Sequence, residues 1–405
     1  MSHHDPDISR LLEQELVRQR TTLTLIASEN HSSKAVRDAC ASVLTDKYAE
    51  GYPGARYYGG CEVADEVEQM ARERAKKLFA GMDHANVQPH CGTSTNLAVL
   101  VAIAGSGGKL LGMALASGGH LSHGHKVSHT GILFSPVQYG VRPDTGLIDY
   151  DQVRSLAKEH RPKVIFAGGS SYPREIDYKT LAEIAKDVEA KLVADIAHPA
   201  GLMAVGVMPS PVGHADIITT TTHKTLRGPR GGLILCKQEL AKAIDSSVFP
   251  GAQGGPLMHQ IAGKAVAFGE ALRPEFKAYQ QSVKDNARHL ASCLVERGLQ
   301  VVTGGTDCHL VVVDLRSTPM TGQDVETRAR AAGLIINKNA VPNDPRPPRQ
   351  TSGIRVGTPA VTTRGMGKTE MKLLANIIAD LVAGKDPASF TKQVQELCTR
   401  FPLPA

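Results

Sequence analysis

Between Tyr150 and Ile196 the chain alternates regularly: a helix around Tyr150–Glu159, a strand Lys163–Ala167, a helix Thr180–Glu189 and a strand Lys191–Ile196. Short loops join them. Such alternation predicts an α/β fold with a mostly parallel sheet, and ligands at the carboxyl ends of its strands. Asp195 lies at one such end, in Asp195-Ile-Ala-His198. A carboxylate on an apolar strand is excluded from the interior unless it meets a cation or a donor.

The stretch Asp216–Gly232 gives a second fixed point. It opens as a β-branched strand (Ile217, Ile218, Thr219–Thr222) and presents His223 and Lys224. It then turns through Gly228-Pro229 and restarts as an apolar strand, Gly231–Cys236. A lysine at a strand end, where burial and nearby cations lower its pKa, is a candidate amine nucleophile for a Schiff base. The alternative is a solvated lysine in a β-turn-β connection. Four threonines and a histidine are costly to bury without partners, so the flanks suggest a polar ligand.

Upstream, Ile8, Leu11, Leu12 and Leu16 fall at helical spacing, with Asp7 and Ser9 as caps. This helix has nothing of its own to bury against, which points to a partner subunit. Leu23–Asn30 is an apolar run that ends in three polar residues. Tyr48–Gly60 holds four of the nine tyrosines among glycines: either an Ω-loop packed on itself or a ligand-binding loop. Val63, Val67, Met70, Ala71, Ala75 and Leu78 predict a helix facing inward. A short strand then leads through Cys91-Gly92-Thr93-Ser94 into a helix Leu97–Ala104. At a helix N-terminus those residues offer free N–H groups, close approach and hydroxyls, as a phosphate needs, or they simply cap it. The strand Leu110–Leu115 delivers the histidine-rich loop Ser117–His125, where the lack of acidic or cysteine ligands argues against a metal. Beyond Glu270, a long helix Glu275–Arg297 leads to a smaller α+β unit with strands Leu299–Thr303, Leu310–Leu315 and Leu334–Asn337 and a last helix Glu370–Val382. Arg355 stands in an apolar strand of that unit, after the proline-rich Asn339–Ser352.

A length of 405 residues allows two domains: we place an N-terminal arm at 1–25, a large domain at 26–274 and a small one at 275–405. The net charge of +6 is mild and unclustered, and argues against a nucleic-acid surface. Seven scattered cysteines without a Cys-x-x-Cys pair fit reduced thiols in a cytosol. The N-terminus lacks an apolar signal core, and Leu97–Gly105, the longest apolar run, is too short to span a bilayer. A soluble, cytoplasmic protein is expected.

The order of these signals matters more than any one of them. A phosphate cup, a carboxylate at a strand end, a lysine at the next strand end and a strand arginine in a second unit together suit pyridoxal phosphate. Asp195 would keep its pyridine nitrogen protonated, and Arg355 would hold an amino-acid carboxylate bidentately.

The segments Leu23–Asn30, Lys47–Gly60, Val87–His90, Gly118–Leu121, Thr219–Gly232, Phe249–Met258 and Ser352–Ala360 resemble serine hydroxymethyltransferases, and the likeness runs from about residue 10 to 385. The resemblance implies a fold type I pyridoxal-phosphate transferase: a large domain with a mostly parallel seven-stranded sheet, a small α+β C-terminal domain and an N-terminal helical arm. It implies a homodimer or dimer of dimers that moves the serine hydroxymethyl group to tetrahydrofolate, giving glycine and 5,10-methylenetetrahydrofolate. By the same resemblance Lys224 carries the cofactor, Asp195 meets its pyridine nitrogen, His120 stacks on its ring and His198 lies near its 3′-oxygen. Cys91, Gly92, Thr93 and Tyr48 hold the phosphate, Gly255 joins from a second subunit, and Ser170 and Thr221 complete the cofactor site. Ser28, His223 and Arg355 serve the substrate carboxylate. Glu50, Tyr57 and Tyr58 attend the hydroxymethyl group, with Glu50 its proton carrier. Leu115, Gly119, His120, Leu121, Asn339 and Arg349 line the folate site.

This chain departs from the usual pattern in three places. A serine of the phosphate cup is Cys91, a histidine before Gly118 is Ser117, and the folate-side phenylalanine after Pro347-Pro348 is Arg349. The first and last of these favour a competing reading, a folate-independent aldolase or transaldolase on β-hydroxy amino acids. A third, a cofactor-binding regulatory protein without turnover, is opposed by the presence of Glu50, His120, Lys224 and Arg355.

Overall fold

A computed structural model describes residues 5–404. Its centre is a seven-stranded sheet in the order His84–Asn86, Gly232–Cys236, Ile217–Thr221, Lys191–Asp195, Val164–Ala167, Lys109–Met113 and Ser135–Tyr139. From Ile217–Thr221 outward to Ser135–Tyr139 every neighbour pairs in parallel, whereas Gly232–Cys236 runs antiparallel to both of its partners. The helices Tyr150–His160 and Tyr178–Asp187 make the crossovers that the alternation predicts. Central strands are buried end to end: Val164–Ala167 and Ile217–Thr221 expose no residue. Their continuous β-branched and apolar runs suit a sheet covered on both faces.

The edge strand Ser135–Tyr139 has no counterpart in the sequence reading. It carries Pro136, which a central strand would not tolerate and an edge does. The helix Met258–Ala271 also escapes periodicity, because it is buried nearly all round and has no polar face. The helix after Cys91 begins at Gly92, five residues before the expected Leu97. Its first turn, Gly-Thr-Ser-Thr, lacks an apolar stripe and is held by Ser94, whose hydroxyl accepts from the Cys91 N–H at 3.2 Å.

A second, antiparallel sheet runs Gln300–Val301, Leu310–Asp314, Gly353–Gly357, Asn337–Asn339, backed by the helices Pro274–Glu296 and Lys368–Val382. The strand expected over Leu299–Thr303 stops after Val301, where Thr303 takes a positive φ of 63° in a tight turn. Leu23 and Leu25 pack into this second core, and Leu23–Thr24 pairs in parallel with Leu334–Ile335.

The N-terminal helix spans Pro6–Thr21, and its cap is Asp5, not Asp7 or Ser9: Asp5 Oδ1 accepts from the N–H groups of Asp7 and Ile8 at 3.0 and 3.1 Å. It buries no residue, and Ile8, Leu11, Leu12 and Val17 stay exposed. Residues 1–4 of the expected arm lie outside the described residues. The helix Glu62–Leu78 turns a different face inward than the apolar count suggests. Ala64, Glu68, Ala71, Ala75 and Leu78 are buried, and Val63 and Met70 face out.

Candidate active site

The carboxyl ends of Lys191–Asp195 and Ile217–Thr221, the N-terminus of Gly92–Ile103 and the loop after Met113 converge on a cavity of about 160 Å³. Cys91, Gly92, Thr93, His120, Ser170, Asp195, His198, Thr221, His223 and Lys224 all line it. Gly92 is needed for this approach: a Cβ there would lie 2.7 Å from the Thr221 methyl. Gly119 and Gly168 likewise let backbone pass where a Cβ would meet carbonyl oxygens at 2.1 Å, those of Met113 and Asp195.

Asp195 is held by three donors. Its Oδ2 accepts from Asn96 Nδ2 at 2.8 Å and pairs with His123 Nε2 at 2.9 Å, and its Oδ1 accepts from the Ala197 N–H at 3.1 Å. The His120 N–H donates to His123 Nδ1 at 3.3 Å, so that nitrogen is an acceptor and Nε2 carries the proton toward Asp195. Burial alone would raise the carboxyl, but the hydrogen bond from His123, its proximity and that of His120 hold it well below the usual carboxylate range. Asn96 also donates to Ser122 Oγ, which lies 2.7 Å from His120 Nδ1. The Ser122 N–H donates to that same nitrogen. His120 is thereby left with Nε2–H as its free edge, and burial pushes its pKa down to about 4, keeping it neutral.

Lys224 is buried past the end of its strand. Burial pulls its amine down to about 8; Asp195 opposes this, and Arg355 and Arg230 reinforce it. His223 is pushed down to about 3 by burial and by Arg230, Lys224 and Lys264, and its Nδ1 is buried without a partner. His198 stacks on His309 at 5.4 Å between centroids, with Nδ1 3.2 Å from His309 Nε2. Arg355 donates to the Ser170 carbonyl at 2.7 Å and to Asn337 Oδ1 at 3.2 Å, leaving guanidinium protons unspent beside the cavity wall. Ser28 follows Ala27, which touches Gly357 at the end of Arg355's strand.

The threonine run divides. Thr220, Thr221 and Thr222 donate to the carbonyls of Thr221, Ala197 and Pro229, whereas the buried Thr219 hydroxyl has no partner. The run forms a buried strand that ends at Thr221, three residues before Lys224.

Tyr48, Glu50, Tyr57, Tyr58 and Gly255 do not line this cavity. They form a separate cluster. Tyr48 and Tyr58 rings meet edge to face at 5.4 Å, and Glu50 lies 3.4 and 3.2 Å from their hydroxyls. Tyr57 sits against Phe249, and a Cβ on Gly255 would lie 3.2 Å from the Tyr48 ring. Tyr48, Tyr57 and Tyr58 are all half or more exposed. Of the expected folate residues, Leu115 and Leu121 are exposed near the His120 loop, Gly119 is buried, and Asn339 and Arg349 lie in and after the strand Asn337–Asn339. Asn96, Ser122, His123 and Arg230 went unread. Only His123 had a visible signal, as one of three histidines in a glycine-rich loop, and only the fold shows that it faces Asp195.

Larger cavities, of about 850, 1050 and 260 Å³, lie elsewhere, and none of them is lined by Lys224 or Asp195. Volume does not mark the site; the donor set does. Among the described residues no cluster of His, Cys, Asp and Glu could hold a metal ion, and no helix is long and apolar enough to cross a membrane.

The family model described as serine hydroxymethyltransferase matches residues 1–378. A curated relative, serine hydroxymethyltransferase 1 of Pseudomonas fluorescens (strain Pf0-1), is 54% identical over 407 residues, covering 100% of this chain and 98% of that protein.

Proposed function

The chain belongs to the serine hydroxymethyltransferase family, and from that premise we propose that the Lys224 cavity is where it transfers the serine hydroxymethyl group to tetrahydrofolate. The observation that carries this reading is the pairing, across one small cavity, of a buried lysine whose amine is pulled down to about 8 with a carboxylate kept ionised by His123 and Asn96.

The residues fit pyridoxal phosphate. The first N–H groups of Gly92–Ile103 have no partner within the helix and suit a phosphate, with Thr93 and Cys91 beside them. Asp195 Oδ1 keeps a lone pair that would take the pyridine N–H, His198 would hold the ring's oxygen, and the orphaned Nδ1 of His223 is free for a polar partner. Bound there, the cofactor supplies an electrophilic carbonyl carbon for Lys224 and a ring that withdraws electrons from the substrate Cα. Arg355 would offer its free N–H groups to the substrate carboxylate, and neutral His120 would give the cofactor ring a flat, uncharged face.

Glu50, Tyr48, Tyr57, Tyr58 and Gly255 would then complete the cavity of a partner subunit in a homodimer, because within the chain they form one polar, aromatic group outside the Lys224 cavity, with its three tyrosines exposed. Glu50 is the group that would move the hydroxyl proton of serine. The match to a hydroxymethyltransferase, over the whole chain, favours this over the folate-independent aldolase.

Borohydride reduction of the holoenzyme followed by peptide mapping should put the label on Lys224; label on another lysine overturns the assignment. Co-expressing Lys224→Gln with Glu50→Gln tests the shared site. Each alone is inactive, and random two-fold dimers regain about a quarter of the parent activity. Recovery of none places Glu50 and Lys224 in one chain's site.

A further inference from the structure

Behind the cup, outside the chemistry described above, lies Lys264 in the helix Met258–Ala271. It is 1% exposed, and its Nζ donates to the carbonyls of Val87 at 2.6 Å, Gly232 at 2.9 Å and Pro89 at 3.1 Å. Those three bonds use all three ammonium protons. No carboxylate among the described residues pairs with it. A buried cation held only by carbonyl dipoles is costly, and fully neutralised pairs are the rule.

The three carbonyls belong to the segments that build the cup. Val87 and Pro89 lead into Cys91, and Gly232 opens the strand beside Ile217–Thr221. A Cβ on Gly231 would lie 2.3 Å from Lys264 Cε, and one on Gly232 would lie 2.8 Å from the Cys91 carbonyl oxygen. The Gly231-Gly232 pair is therefore matched to a lysine stem passing beneath it and to the helix start above it.

We propose that Lys264 is a positioning residue and fixed cation for the anion subsite at Cys91–Thr93, holding the turn into the helix and adding its charge to the attraction for a phosphate. The proposal rests on reading Cys91–Thr93 as that subsite. A packing lysine would hold the same carbonyls without making anion affinity depend on its charge.

The groups facing Lys264 are Glu68 from Glu62–Leu78, Cys40 from Lys34–Cys40, and Cys91, His90 and His223 around the cup. Burial brings the ammonium down to about 7, with Glu68 opposing. An anion in the cup raises that value again, so binding takes up a proton and affinity falls as pH rises through about 7.

Sulfate is the probe, because it does not titrate in this range, and Lys224→Met apoprotein is the background, so that cofactor attachment plays no part. Cys91 is exposed and the other cysteines are buried or half-buried, so protection of Cys91 from iodoacetamide reads sulfate binding. Lys224→Met should bind sulfate more weakly at pH 8 than at pH 6. Lys224→Met/Lys264→Met should bind it about tenfold more weakly at pH 6, with a flatter profile. Equal affinity and equal pH slope overturn the role of Lys264 and leave the anion subsite standing. No protection of Cys91 at either pH overturns the subsite itself. Should the double variant fail to fold, calorimetry of sulfate binding to Lys224→Met in two buffers of different ionisation enthalpy decides: net proton uptake near pH 7 supports the proposal, and none overturns it.

Discussion

Asp195 Oδ2 and His123 Nε2 stand 2.9 Å apart, and the His120 N–H on the far nitrogen fixes His123 as the donor. The acid is thus kept ionised by a hydrogen bond from a ring buried beside it and stacked on Phe166 at 5.1 Å. Asp195→Asn should retain bound cofactor by absorbance but lose about 10²–10³ in kcat, as other electrostatic stabilisers do. Activity within tenfold of the parent refutes the role. His123→Phe keeps the stacked shape and removes the donor. The Asp195 pKa is depressed, so its ionised form is lost only as pH falls through a value below the ordinary carboxylate range. Without His123 that value rises, and the acid limb of the kcat profile should move to higher pH. An unmoved limb assigns His123 to packing.

Lys224 makes a second pH prediction. Its amine titrates near 8 against 10.5 for a free lysine, so labelling of the apoprotein by acetic anhydride should rise to a plateau just above pH 8. Peptide mapping separates Lys224 from surface lysines, whose rates still climb at pH 10. The same shift makes apoprotein stability rise with pH between about 8 and 10.5, where the unfolded chain holds the extra proton. A Lys224 rate that tracks the surface lysines contradicts the burial argument.

Arg56 grips both sides of Glu50. Its Nη1 donates to the carbonyls of Ala49 and Gly51 at 2.8 Å, while Nε and Nη2 pair with Asp65 and Glu68 at 2.8 and 2.7 Å. The fork is buried, and only a planar guanidinium satisfies four acceptors in this arrangement. Arg56→Lys should keep the charge beside Glu68 yet release the loop, lowering kcat about tenfold with cofactor content unchanged. Arg56→Met leaves Glu68 buried and unpaired and should cost about 3–5 kcal/mol of stability by denaturant unfolding. An unaltered kcat in Arg56→Lys shows that the loop holds Glu50 without it.

The sheet and the two residues that face each other in the cavity, Asp195 and Lys224, were legible because both signals are local. Alternating periods mark strands and helices, and Asp195 and Lys224 sit where strands end. Pro136 hid an edge strand, and Met258–Ala271, buried nearly all round, hid a helix, since neither leaves a period to read. The support around Asp195 was not legible. Asn96 lies in a helix and His123 in a loop, 99 and 72 residues before the acid they bond, and no spacing rule joins residues that only the fold brings together. The threonine run was visible, but the carbonyls that take the hydroxyls of Thr220, Thr221 and Thr222 were not, and only Thr219 is left without a partner.

Arg349 stands where the sequence leaves the usual pattern. Its loop is fixed: Asp344 accepts from the N–H groups of Val341, Arg346 and Ser352 at 3.2, 2.9 and 2.7 Å, and the Gln350 N–H donates to the Pro347 carbonyl at 2.9 Å. Arg349 itself is exposed. A loop with little freedom to lose presents that guanidinium at small entropic cost, either stacked on a flat pterin or paired with the carboxylate of a folate glutamate tail. Pairing with a carboxylate in solvent is screened by salt. Tetrahydrofolate affinity of the parent should therefore fall between low and high salt, and Arg349→Ala should bind more weakly at low salt and lose most of that dependence. Equal affinities and equal salt slopes in parent and variant leave Arg349 a solvated loop residue.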